Sequence, residues 1–153
     1  VARELEVVRF RRWHLARVLE IEKTSFASDA YTRRMFLDLY RDCGELFLVA
    51  KRRGRVEGYI VSGVRSGEAE IISIAVRPET RGAGVGSMLM RETLARCAAS
   101  GVRRAWLMVR SGSRQAVRFY RRFGFRAAGR VADYYRDGEE ALRMRKELGR
   151  SKR

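Results

Sequence analysis

The chain has 153 residues, 34 of them Lys or Arg against 18 Asp or Glu, which gives a formal net charge of +16. That length supports a single domain with a proper core, and a positive field of that size attracts polyanions such as nucleic acid, ribosomal surfaces or a polyphosphorylated cofactor. Two cysteines far apart in sequence, Cys43 and Cys97, and one histidine, His14, argue against a disulfide scaffold and exclude a His-based metal cluster. With no N-terminal signal pattern and no apolar run of bilayer length, the expectation is a cytoplasmic protein without a membrane segment. An arginine-rich surface that serves no partner explains the charge equally well, because the cations are spread along the chain.

Residues 5–11 alternate weakly and predict a first strand, with Val7 and Phe10 inward. Residues 13–22 carry Leu15, Val18, Leu19 and Glu22 at helical spacing, with His14 as a surface or capping residue at the start. A polar break over 24–30 precedes a second helix over 31–43, whose stripe is Met35, Phe36, Leu39 and Tyr40 and whose end is Gly44. Strands over 46–51, 56–64 and 69–77, joined by turns at 52–55 and 66–68, read as an antiparallel meander. A helix over 84–100 faces inward through Met88, Leu89, Leu94 and Cys97. It is followed by a strand over 104–110, a helix capped by Ser111 or Ser113 and running to Phe123, and a hairpin of 125–134 with 140–145 around Asp137-Gly138. The expected fold is α/β, one domain over 1–148 with a basic tail over 149–153: a mixed, mostly antiparallel sheet of about seven strands flanked by about four helices.

The chain is organised around Ile74-Ala75-Val76, followed by Arg81-Gly82-Ala83-Gly84-Val85-Gly86 and then an amphipathic run. Strand, glycine-rich turn and helix start together expose unpaired amides and a partial positive charge that suit a phosphate. Gly84 and Gly86 let the backbone approach an anion without a Cβ, and Arg81 adds a guanidinium that can fork onto phosphate oxygens. A dinucleotide site wants a third glycine and an acidic end to the next strand; here that strand ends in Val109-Arg110. A triphosphate loop wants Gly-Lys-Ser/Thr, which is absent. On the turn alone, a plain helix start stays open as the alternative.

Three stretches carry a resemblance to the GNAT superfamily of N-acetyltransferases, covering most of the chain. They are Ser73 to Val76 leading into Arg81 to Gly86, then residues 116–125 with Phe119-Tyr120 before Gly124-Phe125, then Tyr134-Tyr135 ahead of Asp137-Gly138. Together they resemble the RimI-like ribosomal-protein-alanine and N-terminal protein acetyltransferases. The resemblance implies acetyl-CoA as cofactor. It implies that the backbone of Ile74, Ala75 and Val76 hydrogen-bonds the pantetheine arm and that Arg81, Gly82, Ala83, Gly84, Val85 and Gly86 hold the pyrophosphate. Ser113 stands where the family carries an asparagine that contacts the cofactor. Phe26, Tyr31, Tyr134 and Tyr135 match regions that line the peptide groove, although residues 27–31 replace the usual proline-containing loop.

Acetyl transfer to an amine needs a base for the amine proton and an acid for the departing thiolate. Tyr120 stands at the family's general-acid tyrosine, and a phenol with a pKa near ~10 stays protonated at neutral pH. Met108 occupies the place where RimI-like enzymes carry a glutamate, and it accepts no proton. Glu70, on the face of Ile72 and Ile74, stands where relatives use a histidine or tyrosine and is the candidate base. An α-amine titrates near ~7.7–8.0 and lysine near ~10.4, so deprotonation at neutral pH costs about 1 against about 4.5 kcal/mol. That favours a protein N-terminus as acceptor. The alternatives are a polyamine or aminoglycoside acetyltransferase, and a basic RNA- or ribosome-binding module on a degenerate acetyltransferase fold.

Overall fold

The computed structural model describes residues 4–149, so the predicted basic tail lies, apart from Gly149, outside the described residues. The chain divides into two compact units: the residues up to Gly63 with Ile71–Cys97, and Val64–Glu70 with the residues from Ala98 on.

In the first unit β1 (Leu5–Arg9) pairs antiparallel with β2 (Phe47–Arg52), Leu5 opposite Arg52 and Arg9 opposite Leu48. β2 pairs antiparallel with β3 (Arg55–Arg65) across a turn in which Arg53 and Gly54 take φ of 51° and 76°, the left-handed pair that matches strand twist. Helix α1 (Leu15–Phe26) follows a single 3-10 turn in which His14 Nδ1 accepts the Arg11 N–H at 2.9 Å. His14 therefore caps as expected, but it is buried rather than at the surface. The predicted polar break starts too early: α1 continues through Thr24, whose hydroxyl donates back to the Glu20 carbonyl at 2.9 Å, and it stops where Ala27 takes φ 48°.

Helix α2 (Arg33–Cys43) is capped by Thr32, whose hydroxyl accepts the Met35 N–H at 3.2 Å. Of its predicted stripe Phe36 is fully buried, and Met35 is turned outward at 43% exposed. Phe36 meets Tyr59 edge-on at 5.7 Å, and Phe10 stacks on Phe47 at 4.0 Å, in one apolar cluster with Leu15, Val18 and Ile21.

Strand β4 (Glu68–Val76) alternates buried and half-buried residues along its length. Helix α3 (Val85–Ala99) buries Val85, Leu89, Met90, Thr93 and Cys97, so its inward face is rotated from the predicted one, and Met88 and Leu94 are half-buried. The reason is the contact at Gly58: a Cβ there would lie 2.9 Å from the Ala75 carbonyl oxygen, 3.1 Å from Val85 and 3.3 Å from Leu89. The helix settles into the space that the missing side chain leaves.

In the second unit the start of β4 runs parallel to β5 (Arg104–Arg110), with Glu68, Ala69 and Glu70 opposite Arg104, Ala105 and Trp106. Helix α4 (Arg114–Arg122) leads to β6 (Arg126–Val131), and β7 (Ala141–Glu147) pairs antiparallel with both β5 and β6. The predicted hairpin forms, and its second strand lies inside. β7 buries Ala141, Leu142 and Met144, whereas all of β6 is exposed, so β6 takes the edge. The seven strands follow the hydrogen-bonded order β1-β2-β3-β4-β5-β7-β6, mostly antiparallel, as expected.

Gly58→Ala should lower stability by about 1–3 kcal/mol through overpacking against α3. Thermal unfolding of the variant beside the wild type measures this as a fall in Tm.

Candidate active site

The first unit carries the strand and the glycine-rich turn. β4 leaves the sheet at Arg77, which is held twice by one residue of β3. Its N–H donates to the Glu57 carbonyl at 2.8 Å, and its guanidinium donates to the Glu57 carboxylate at 2.6 Å. Glu57 is 3% exposed, so this is a charge-assisted bond in a dry place, and it fixes where the turn begins. A 3-10 turn, Pro78–Thr80, follows, and the Ala83 N–H donates to the Thr80 carbonyl at 3.2 Å.

Gly82 and Gly84 both take φ +85°, which a side chain would strain, and a Cβ at either would meet nothing within 4 Å. The Gly84 carbonyl accepts the Met88 N–H at 3.0 Å and so opens α3. Gly86 lies inside the first helical turn. The left-handed backbone of the turn falls at Gly82 and Gly84. Among the described residues the amides of Gly82, Gly84, Val85, Gly86 and Ser87 find no acceptor. An open cradle of unpartnered amides at a helix start fits a diphosphate.

Arg81 is exposed. Its Nε donates to the Val76 carbonyl at 3.3 Å and its Nη2 to Ser25 Oγ at 3.2 Å. Ile74 and Val76 are half-buried and Ala75 is buried. Of the acceptor-side candidates in this unit, Phe26 ends α1 at 37% exposed. Tyr31 is half-buried, with its ring edge-on to Phe36 at 5.9 Å.

The second unit carries the acid–base candidates. Glu70 is half-buried beside Trp106 in the parallel ladder. Burial pushes its carboxyl above the usual range, and the charge of Arg143 opposes that. Arg143 lies opposite Met108 across the strands, and its guanidinium sits 4.3 Å from the centre of the Trp106 ring. Alternation along β4, β5 and β7 thus gathers a carboxylate, a cation and an indole around the methionine.

Tyr120, on α4, packs edge-on to Phe119 at 5.4 Å and Phe125 at 6.1 Å. Burial first, and then Tyr135, pushes its phenol well above the ordinary value, so it keeps its proton at neutral pH. Ser113 takes the cap position of α4, as predicted, although its hydroxyl makes no cap bond.

Tyr134 and Tyr135 lie in the connection between β6 and β7, edge-on to each other at 5.0 Å; Tyr134 is half exposed. Arg110 braces this connection. Its guanidinium lies 4.2 Å from the Tyr135 ring centre and donates to Asp137 at 2.9 Å and Glu139 at 2.8 Å. The Glu139 N–H, and then Arg110, hold the Asp137 carboxyl below the usual carboxylate range.

One cluster centres on a residue, Glu22, that is not among the predicted site residues. In the first unit the carboxylate of Glu22 accepts hydrogen bonds from the hydroxyls of Tyr59 and Ser73 and from the Tyr31 N–H. Its trace in the sequence is a charged residue in line with the apolar stripe Leu15, Val18 and Leu19.

A family model described as Acetyltransferase (GNAT) family matches residues 13–125. An uncharacterized N-acetyltransferase of Methanocaldococcus jannaschii is 35% identical over 94% of this chain and 92% of its own. A putative ribosomal protein bS18-alanine N-acetyltransferase of Bacillus subtilis is 34% identical over 83% of this chain and 85% of its own. The crystal structure of Ard1 from Thermoplasma volcanium superposes with a TM-score of 0.92, at 33% identity, over 95% of this chain and 99% of that one. The match to the family model takes in β4, the glycine turn and all of α4, and on that ground the chain belongs to the Acetyltransferase (GNAT) family and is an acetyl-CoA-dependent N-acetyltransferase.

Proposed function

We propose that the acceptor is the N-terminal α-amine of a protein. The observation that carries this is a likeness over most of the chain to proteins named for that chemistry: the putative bS18-alanine enzyme and an N-alpha-acetyltransferase of Sulfolobus acidocaldarius that is 28% identical over 83% of this chain. Phe26 and Tyr31, and Tyr134 and Tyr135, are the aromatic residues that would meet the acceptor peptide. The compartment is the cytoplasm.

The amides of Gly82, Gly84, Val85, Gly86 and Ser87 and the guanidinium of Arg81 would hold the diphosphate, in competition with the bonds from Arg81 to Ser25 and the Val76 carbonyl. The backbone of Ile74, Ala75 and Val76 would take the arm that leads from it, and Ser113 is the further residue that would contact the cofactor. Acetyl-CoA supplies an activated thioester carbonyl. Glu70 accepts the proton that the ammonium must lose, directly or through a water, and its raised pKa makes it a stronger base than an exposed glutamate. Tyr120 keeps a proton on its phenol oxygen for the sulfur that departs. The cost of deprotonating an α-amine is small enough for one carboxylate, and that of a lysine is not.

A ribosomal surface is the setting in which such an acceptor would be met. What supports it is the charge on α4, where Arg114, Arg118, Arg121 and Arg122 are all exposed.

Acetylation of paired peptides tests the acceptor. A peptide with a free N-terminus and an internal lysine should be labelled once, and its N-blocked twin should not. Labelling of the blocked peptide, or a preference for polyamines, overturns the reading.

Tyr120→Phe should lower kcat by about a hundredfold or more. Steady-state turnover at saturating substrates checks it, and an unchanged rate removes Tyr120 from the chemistry.

The pH dependence of kcat has a definite sign. Glu70 works ionised, so activity falls as pH drops through its raised pKa. Arg143→Gln removes the charge that holds this pKa down and should move the acidic limb to higher pH, and Glu70→Gln should abolish the limb along with most of the rate. A limb that stays in place in both variants assigns the base elsewhere.

A further inference from the structure

Glu22 takes no part in the chemistry above, yet it is 2% exposed. A carboxylate is costly to bury, and a leucine would extend the α1 stripe at this place without that cost. What the carboxylate adds is directed bonding. One oxygen accepts the hydroxyls of Tyr59 and Ser73, the latter at 3.0 Å, and the other accepts the Tyr31 N–H at 2.9 Å. The two hydroxyls lie 3.2 Å apart. One side chain of α1 thus ties together the residue that leads into α2, the middle of β3 and the middle of β4. Ser73 directly precedes Ile74, Ala75 and Val76, and Tyr31 closes the connection that carries Phe26.

Among residues 23–31 none is buried, and Ala27 takes φ 48°. Ser25, in the last turn of α1, accepts a hydrogen bond from Arg81, for which the diphosphate would compete.

We propose that Glu22 is a positioning residue for the acceptor. It holds the segment that runs from the last turn of α1 to Tyr31 by the Tyr31 backbone and keeps Phe26 and Tyr31 in register with the strand that carries the cofactor. This rests on the N-terminal acceptor proposed above. The placement is specific to a carboxylate, because three donors converge on it and an amide can accept on one side only.

Glu22→Gln keeps the volume and removes half of the acceptor. In the full chain, KM for a free-N-terminus peptide should rise about tenfold, the loss that one hydrogen bond to a charged group carries, with KM for acetyl-CoA within about twofold. Hydrogen exchange read by mass spectrometry should quicken about tenfold over residues 23–31 and stay unchanged in β2 and β3. Ser73→Ala should shift both readouts the same way by less, and Ser73→Thr should restore them; this pair carries the test if Glu22→Gln does not fold. Equal rises in both KM values, exchange that quickens across β2 and β3 alike, or no change in residues 23–31 would overturn the proposal. If the wild type labels no peptide, the acceptor reading falls, and the exchange comparison still decides whether Glu22 holds the connection.

Discussion

The contact between Arg77 and Glu57 is the one on which the glycine turn depends. Amides at a helix start keep their capacity for an anion only if the chain before them cannot move to satisfy them. A doubly hydrogen-bonded pair at the end of β4, buried on the Glu57 side, prevents that movement. The left-handed glycines then turn the backbone within a few residues, and α3 starts against the gap at Gly58. Helix packing and anion binding are therefore set by the same stretch of strand. Breaking such a pair by removing one partner leaves an uncompensated charge, which costs more than the pair itself contributes.

Burial sets the electrostatics of the two acid–base candidates in the second unit, and in the same direction for both. Desolvation raises the carboxyl of Glu70, which strengthens it as a base, and raises the phenol of Tyr120, which keeps its proton in place. Arg143 limits the first shift, so Glu70 remains ionisable beside Met108 and Trp106. In the first unit a third carboxylate, Glu22, is enclosed by hydroxyl and amide donors and serves geometry. Three acidic side chains, two of them buried and one half-buried, thus take three roles: Glu57 anchors a strand, Glu70 faces a cation and Glu22 collects donors.

Residues whose role depends on neighbours close in sequence were legible from the chain alone. Strand, turn and helix around Arg81 to Gly86 follow from the local sequence, and so does the Arg53-Gly54 turn. Tyr120 and the aromatic pair Tyr134-Tyr135 came from resemblance, since periodicity alone makes them packing. What stayed hidden depends on partners far along the chain. Glu22 meets Ser73 only through the tertiary fold, and the rotation of α3 answers to Gly58.

The sequence by itself determined the elements, their order and the family, because hydrophobic period, glycine placement and local motifs act over a few residues. The tertiary structure alone decided that β7 rather than β6 lies inside, that the left-handed glycines are 82 and 84, and that a helix-face glutamate is buried among three donors. Each of these is settled by competition for burial and for hydrogen-bond partners between segments that no local pattern connects.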